Sequence, residues 1–218
     1  MTKVKICGIK TEAQAIFAAE AGADFIGMVL APSPRQVSAD TAASIVKAVR
    51  KTAKRVMTVG VFVNANINTV KQITRRCGLD WVQLSGDEPW EYCARLERPI
   101  IKALRLSQAR PPEQVIKEID EGMRMLRGKE ALILLDTHDS NLYGGTGRTF
   151  DWSLAAPLTR CFPVIIAGGL TPENVSELIK KVAPWGVAVS SGMESGGAKD
   201  TEKIRKFIEA VRKTDVTS

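Results

Sequence analysis

Eight short apolar runs, each followed by a turn and an amphipathic helical stretch, recur along the chain. No other feature of the sequence limits the fold as much. The runs predict strands near Lys3–Ile9, Phe25–Leu30, Arg55–Val63, Trp81–Leu84, Pro99–Leu106, Ala131–Thr137, Pro163–Gly168 and Val187–Ser190. Helices are predicted between them, near Glu12–Ala21, Ala39–Arg50, Ile67–Cys77, Pro89–Leu96, Pro112–Leu126, Trp152–Leu158 and Pro172–Val182, with a last one over Thr201–Arg212. Several runs are continuously apolar rather than alternating, the pattern of parallel strands covered on both faces. Right-handed crossovers then give either a closed barrel or an open, doubly wound sheet. The count of eight favours closure, and no GxGxxG follows the first run, as a dinucleotide-binding sheet would require. The expected fold is a single (β/α)8 barrel with short loops. Residues 1–218 read as one domain, with no linker or low-complexity segment.

Charge and composition narrow the function classes. Thirty-one basic against 24 acidic residues give a net charge of +7. The basic residues are spread over many segments, and the clusters at Arg50–Arg55 and Lys203–Lys206 read as solvated helix faces. The expectation is an enzyme for anionic substrates, with no nucleic-acid partner. The four cysteines, Cys7, Cys77, Cys93 and Cys161, form no CxxC pair, and one histidine excludes multi-histidine metal motifs. No metal and no cofactor are expected. The apolar runs are too short to cross a bilayer, and the N-terminal residues do not read as a signal peptide. These features suggest a cytoplasmic monomer or homodimer.

In a barrel of this kind the active site lies at the C-terminal ends of the strands. Those ends carry Cys7-Gly8, Pro32–Arg35, Asn64, Ser85–Asp87, Arg105, Asp136-Thr137, Gly168-Gly169 and Ser190–Gly192. The last two ends, with Gly168, Gly169, Ser190, Ser191 and Gly192, are glycine- and serine-rich at the strands where such barrels frequently bind phosphate. Gly144-Gly145-Thr146-Gly147 lacks the GK[ST] ending of a nucleotide-triphosphate loop. Cys7 shares a pleat face with Lys5 and is a candidate base or nucleophile. Asp136 closes an apolar strand, where a carboxylate is costly to bury without a role. Arg35, on the proline-stiffened Pro32–Arg35 loop, can clamp a carboxylate in bidentate fashion. His138 reads as a loop residue. Taken one at a time these residues have structural explanations; together they describe an acid, a thiol, an anion clamp and a phosphate cradle.

The motifs Lys5-Ile6-Cys7-Gly8-Ile9, Ser33-Pro34-Arg35, Gly60-Val61-Phe62 and Val82-Gln83-Leu84 resemble those of the phosphoribosylanthranilate isomerase family. So do Leu135-Asp136, Gly144–Gly147 with Phe150-Asp151-Trp152, Ala167–Leu170 and Val189–Gly192, in order over nearly the whole chain. The resemblance implies a (β/α)8 barrel performing an Amadori rearrangement without cofactor. It implies Asp136 as the general acid on the ring oxygen and Cys7 as the base for the C2 proton. It also implies Arg35 as the anthranilate contact, and Gly168, Gly169, Ser190, Ser191 and Gly192 as the phosphate site. Two positions depart from the family pattern. Ser85 stands where histidine is common, and Ala188 where aspartate is common. The side chain at 188 is expected to point into the barrel, with the gap left by the absent carboxylate filled by water or by a neighbour such as Lys102 or Arg105. The alternatives are a related histidine-pathway isomerase, which carries aspartate at the end of its first strand, and a basic nucleic-acid-binding barrel.

Overall fold

The computed structural model describes residues 1–52, 55–105, 111–136 and 152–217. Eight parallel strands close in sequence order: β1 (Lys3–Cys7), β2 (Phe25–Val29), β3 (Met57–Phe62), β4 (Trp81–Leu84), β5 (Ile100–Arg105), β6 (Ala131–Asp136), β7 (Val164–Ala167) and β8 (Gly186–Val189). β1 pairs with both β2 and β8, so no sheet edge remains. Between the strands run α1 (Glu12–Glu20), α2 (Ala39–Thr52), α3 (Ile67–Cys77), α4 (Trp90–Ala94), α5 (Pro112–Met125), α6 (Ala156–Cys161) and α7 (Val175–Val182), and α8 (Thr201–Thr217) ends the described chain.

The continuous apolar runs reflect two cores. One face of each strand packs against the helices, with Val4, Ile6, Ile26, Met28 and Phe62 in that layer. The other face fills the barrel with Phe25, Val59, Trp81, Ile101, Leu132, Leu134, Ile165 and Ala188. At the N-terminal end Phe25 meets Trp81 edge-on at 5.9 Å and Trp185 at the same spacing, closing the floor. Local signals set the helix limits. The Thr11 hydroxyl accepts from the Gln14 backbone N–H to start α1, and Gly78, left-handed at φ 67°, ends α3.

Besides shifts of element ends, such as α8 running to Thr217 rather than Arg212, three details differ from the sequence expectation. The stretch beginning at Trp152 is a 3-10 turn (Trp152–Ala155) before α6, because Pro157 belongs in the first turn of an α-helix and not in its interior. α7 begins at Val175 rather than at Pro172. After β8, a short 3-10 turn (Ser191–Met193) leads into an unexpected hairpin, β9 (Glu194–Ser195) and β10 (Ala198–Lys199). Among the described residues no helix is long and apolar enough to cross a membrane.

Candidate active site

A cavity of about 590 Å³ opens at the C-terminal end of the barrel. Strand alternation builds its wall: Val4 and Ile6 face the helices, so Lys5 and Cys7 face inward, and by the same parity Leu134 and Asp136 face inward from β6. Cys7, Asp136, Gly168, Gly169, Ser190, Ser191 and Gly192 all line it. A thiol from β1 and a carboxylate from β6 thus address one space, with the loops after β7 and β8 at its rim. Thr137, His138 and the Gly144–Gly147, Phe150 and Asp151 motif lie outside the described residues, and of Arg105 only the backbone is described.

Arg35 is not in the lining but sits behind the rim, and it has a partner that the sequence did not reveal. Its Nε donates to Glu194 Oε1 at 2.6 Å and its Nη2 to Glu194 Oε2 at 2.8 Å. This side-on pair leaves the Nη1 edge of the guanidinium pointing away from Glu194. Lys199, with only 1% of its side chain exposed, donates to Glu194 Oε1 at 2.8 Å and to the Ser190 carbonyl at 2.9 Å. Hydrogen bonds from Arg35, and secondarily from Lys199, hold the Glu194 carboxyl down to about 2 against the opposing effect of burial. Arg35 is raised in turn, chiefly by Glu194, while burial lowers Lys199. The assembly converges over Gly8, at φ +76°, where a Cβ would lie 2.6 Å from Arg35 Cδ and 2.9 Å from Ser190 Oγ. Only glycine permits that closeness and that backbone angle.

Across the cavity, the buried pair Glu88 and Lys102 braces the loop after β4. Glu88 accepts from the backbone N–H of Asn64 at 2.7 Å and of Gly86 at 3.0 Å, and Lys102 Nζ stands 3.7 Å from its carboxylate. The two departures from the family pattern have clear surroundings. Ser85 Oγ accepts from Gln83 Nε2 at 3.0 Å. Ala188 faces the barrel interior as expected, but its register partner on β1 is Lys5, and Lys102 is held by Glu88. The neighbour of the missing carboxylate is therefore Lys5 and not Lys102. Among the described residues no cluster of three His, Cys, Asp or Glu could hold a metal ion.

Comparison with known proteins places this geometry in a family. Residues 4–210 match the model of N-(5′-phosphoribosyl)anthranilate isomerase. The N-(5′-phosphoribosyl)anthranilate isomerase of Dehalococcoides mccartyi is 44% identical over 215 residues, covering 99% of this chain and 98% of that protein. Crystallised monomers of the dimeric phosphoribosylanthranilate isomerase of Thermotoga maritima superpose with a TM-score of 0.82 at 35% identity, covering 98% of this chain and all of that one. A phosphoribosylanthranilate isomerase in complex with reduced 1-(o-carboxyphenylamino)-1-deoxyribulose 5-phosphate superposes at 0.79 and 34% identity, with the same coverage. With its closed barrel and a family match from the first strand to the last helix, this chain belongs to the N-(5′-phosphoribosyl)anthranilate isomerase family.

Proposed function

We propose that this chain converts N-(5-phosphoribosyl)anthranilate to 1-(2-carboxyphenylamino)-1-deoxyribulose 5-phosphate, the isomerase step of tryptophan biosynthesis, in the cytoplasm as a monomer or homodimer. The observation that carries this reading is the inward placement of Cys7 and Asp136 on one cavity rimmed by the Gly168-Gly169 and Ser190–Gly192 loops. Asp136 protonates the furanose ring oxygen and opens the ring to a Schiff base at C1. Cys7 removes the C2 proton, and the resulting enolamine tautomerises to the ketone, with a proton arriving at C1 and one leaving the C2 hydroxyl. Acid and base must each reach their atom of one sugar, and walls on β1 and β6 suit that need. The outer edge of the Arg35 guanidinium takes the anthranilate carboxylate, and Gly168, Gly169, Ser190, Ser191 and Gly192 take the phosphate.

The alternatives have less support. The histidine-pathway enzyme carries aspartate where this chain has Cys7, and the full-length relatives carry the anthranilate name. The dispersed basic residues give no nucleic-acid footprint. The test is to incubate the purified protein with phosphoribosylanthranilate and follow both compounds by chromatography. Conversion to the deoxyribulose product is expected. A folded protein that leaves the substrate untouched overturns the assignment.

A further inference from the structure

We propose that Lys5 is a positioning residue for Cys7, its ammonium serving as the counter-charge of the Cys7 sulfur. The inference rests on the reading of Cys7 as a base, but its principal test does not depend on turnover.

Lys5 is 1% exposed, lies on the inward face of β1, and its Nζ has no hydrogen-bond partner. Burying an ammonium among apolar side chains is costly unless a counter-charge meets it. Its cross-strand neighbours supply none: Phe25 stands opposite on β2 and Ala188 on β8. Every other described cation near this wall already has a carboxylate, Arg35 and Lys199 that of Glu194 and Lys102 that of Glu88, although Arg35 and Lys199 also act on the Cys7 sulfur from the rim side. Among the described cations of this wall, Lys5 alone has no carboxylate.

What Lys5 does have is the thiol two residues along the same face. The two heads converge on Gly27 of β2, where a Cβ would lie 2.8 Å from Cys7 Sγ and 2.9 Å from Lys5 Nζ. Any side chain at position 27 would displace both. Two groups that close to a common point fall inside the ~4–6 Å over which one charge acts strongly on another. Among the described carboxylates around this cavity, Asp136 stands across it, Glu88 is paired with Lys102, and Glu194 behind the rim is committed to Arg35 and Lys199. When the sulfur carries the negative charge of a working base, the neighbouring cation that lacks a carboxylate is Lys5. An alanine at 188 sharpens the arrangement, because a carboxylate there would compete with the sulfur for the ammonium.

The experiment alkylates the purified full chain with iodoacetamide and measures modification of the Cys7 and Cys161 peptides by mass spectrometry, with the exposed Cys161 as internal reference. Lys5→Met keeps the length of the side chain and removes its charge. Ala188→Asp keeps Lys5 and adds the competing carboxylate. Both variants are compared with the parent after near-UV circular dichroism shows an intact fold. The Cys7-to-Cys161 ratio should fall roughly 5- to 10-fold in Lys5→Met and by a smaller factor in Ala188→Asp. Loosened packing would expose the thiol and raise the ratio, so the sign separates electrostatics from disturbance. An unchanged or raised ratio in either folded variant overturns the proposal. In the isomerase assay Lys5→Met should lower kcat with KM held within a few-fold. If the parent shows no isomerase activity, the alkylation result stands by itself.

Discussion

The two ends of the barrel treat polar groups in opposite ways. At the N-terminal end they are saturated. Asp24 accepts from Lys3 Nζ at 2.8 Å, the Val4 N–H at 2.9 Å and Arg212 Nη2 at 2.9 Å. Asp80 accepts from both the N–H and the hydroxyl of Thr58, and Asp215 from the N–H and hydroxyl of Thr2. At the C-terminal end the saturated carboxylates Glu88 and Glu194 stand beside polar atoms that are left open. Of the four buried side-chain polar atoms without a hydrogen-bond partner, among the described residues, Lys5 Nζ, Gln83 Oε1 and Trp90 Nε1 belong to residues lining the cavity. An unmet buried polar atom costs roughly 1–3 kcal/mol, a cost that a bound ligand with matching groups removes. One end is therefore closed on itself, while the other keeps unmet polar atoms on the residues that line its cavity.

The largest effect that would break this contrast is at the open end. Asp136→Asn and Cys7→Ala should each lower kcat by about 10²–10⁴-fold while the melting temperature stays near that of the parent. A large loss of stability with normal turnover in the folded fraction would reverse the division between the ends.

Glu194 sharpens the comparison because, like Glu88, it is a saturated carboxylate at the open end. Glu194→Gln removes the anchor of Arg35 and Lys199 and should lower kcat/KM about 10-fold, mainly through KM. It should also change the acid response. The folded carboxyl is held at about 2, below its unfolded value near ~4.3. Its contribution to stability is complete above that unfolded value and is lost as the pH falls toward 2. The gap in Tm between parent and Glu194→Gln should therefore narrow on acidification through this window, as read by thermal melts from pH 7 to 3. A gap that is constant with pH would contradict the pairing.

The smallest effect on activity belongs to the closed end. Burial raises the Asp24 carboxyl, but hydrogen bonds from Lys3, Val4 and Arg212 outweigh it and leave it lowered. Asp24→Asn should cost about 1–3 kcal/mol, at roughly 2–4 °C of Tm per kcal/mol, with kcat and KM unchanged. Calorimetry and steady-state kinetics on the same preparation check both halves.

How much was legible in the sequence follows from the same physics. Trp81, Val82 and Leu84 mark β4, and the apolar stripe of Ile67, Val70, Ile73 and Cys77 marks α3, so both appear with their observed limits. Parity along β1 and β6 was enough to aim Cys7 and Asp136 inward. Parity also placed Lys5 inward, but a lone lysine in a strand gives no sign of whether a partner meets it, since that depends on residue 188 of a strand far along the chain. The partner of Arg35 was hidden for another reason. Glu194 and Lys199 lie on two-residue strands, too short for any periodicity to register. The Gly196-Gly197 pair between them was the available signal, a two-glycine turn flanked by residues able to pair.

Barrel closure by β1 against β8 also sets the order in which the molecule can be made. Thr2 and Asp215, joined by hydrogen bonds, are 213 residues apart. At ~5–20 residues per second on the ribosome, the first strand waits roughly 10–40 s for the segments that secure it. During that time the growing sheet has two raw edges, each a template for stray pairing. Cys7 is made long before Glu194 and Lys199, so the candidate site stays incomplete until the last of these is in place. A nascent chain stalled before β8 should carry an accessible Cys7 and no catalytic power, however much of its barrel has already formed.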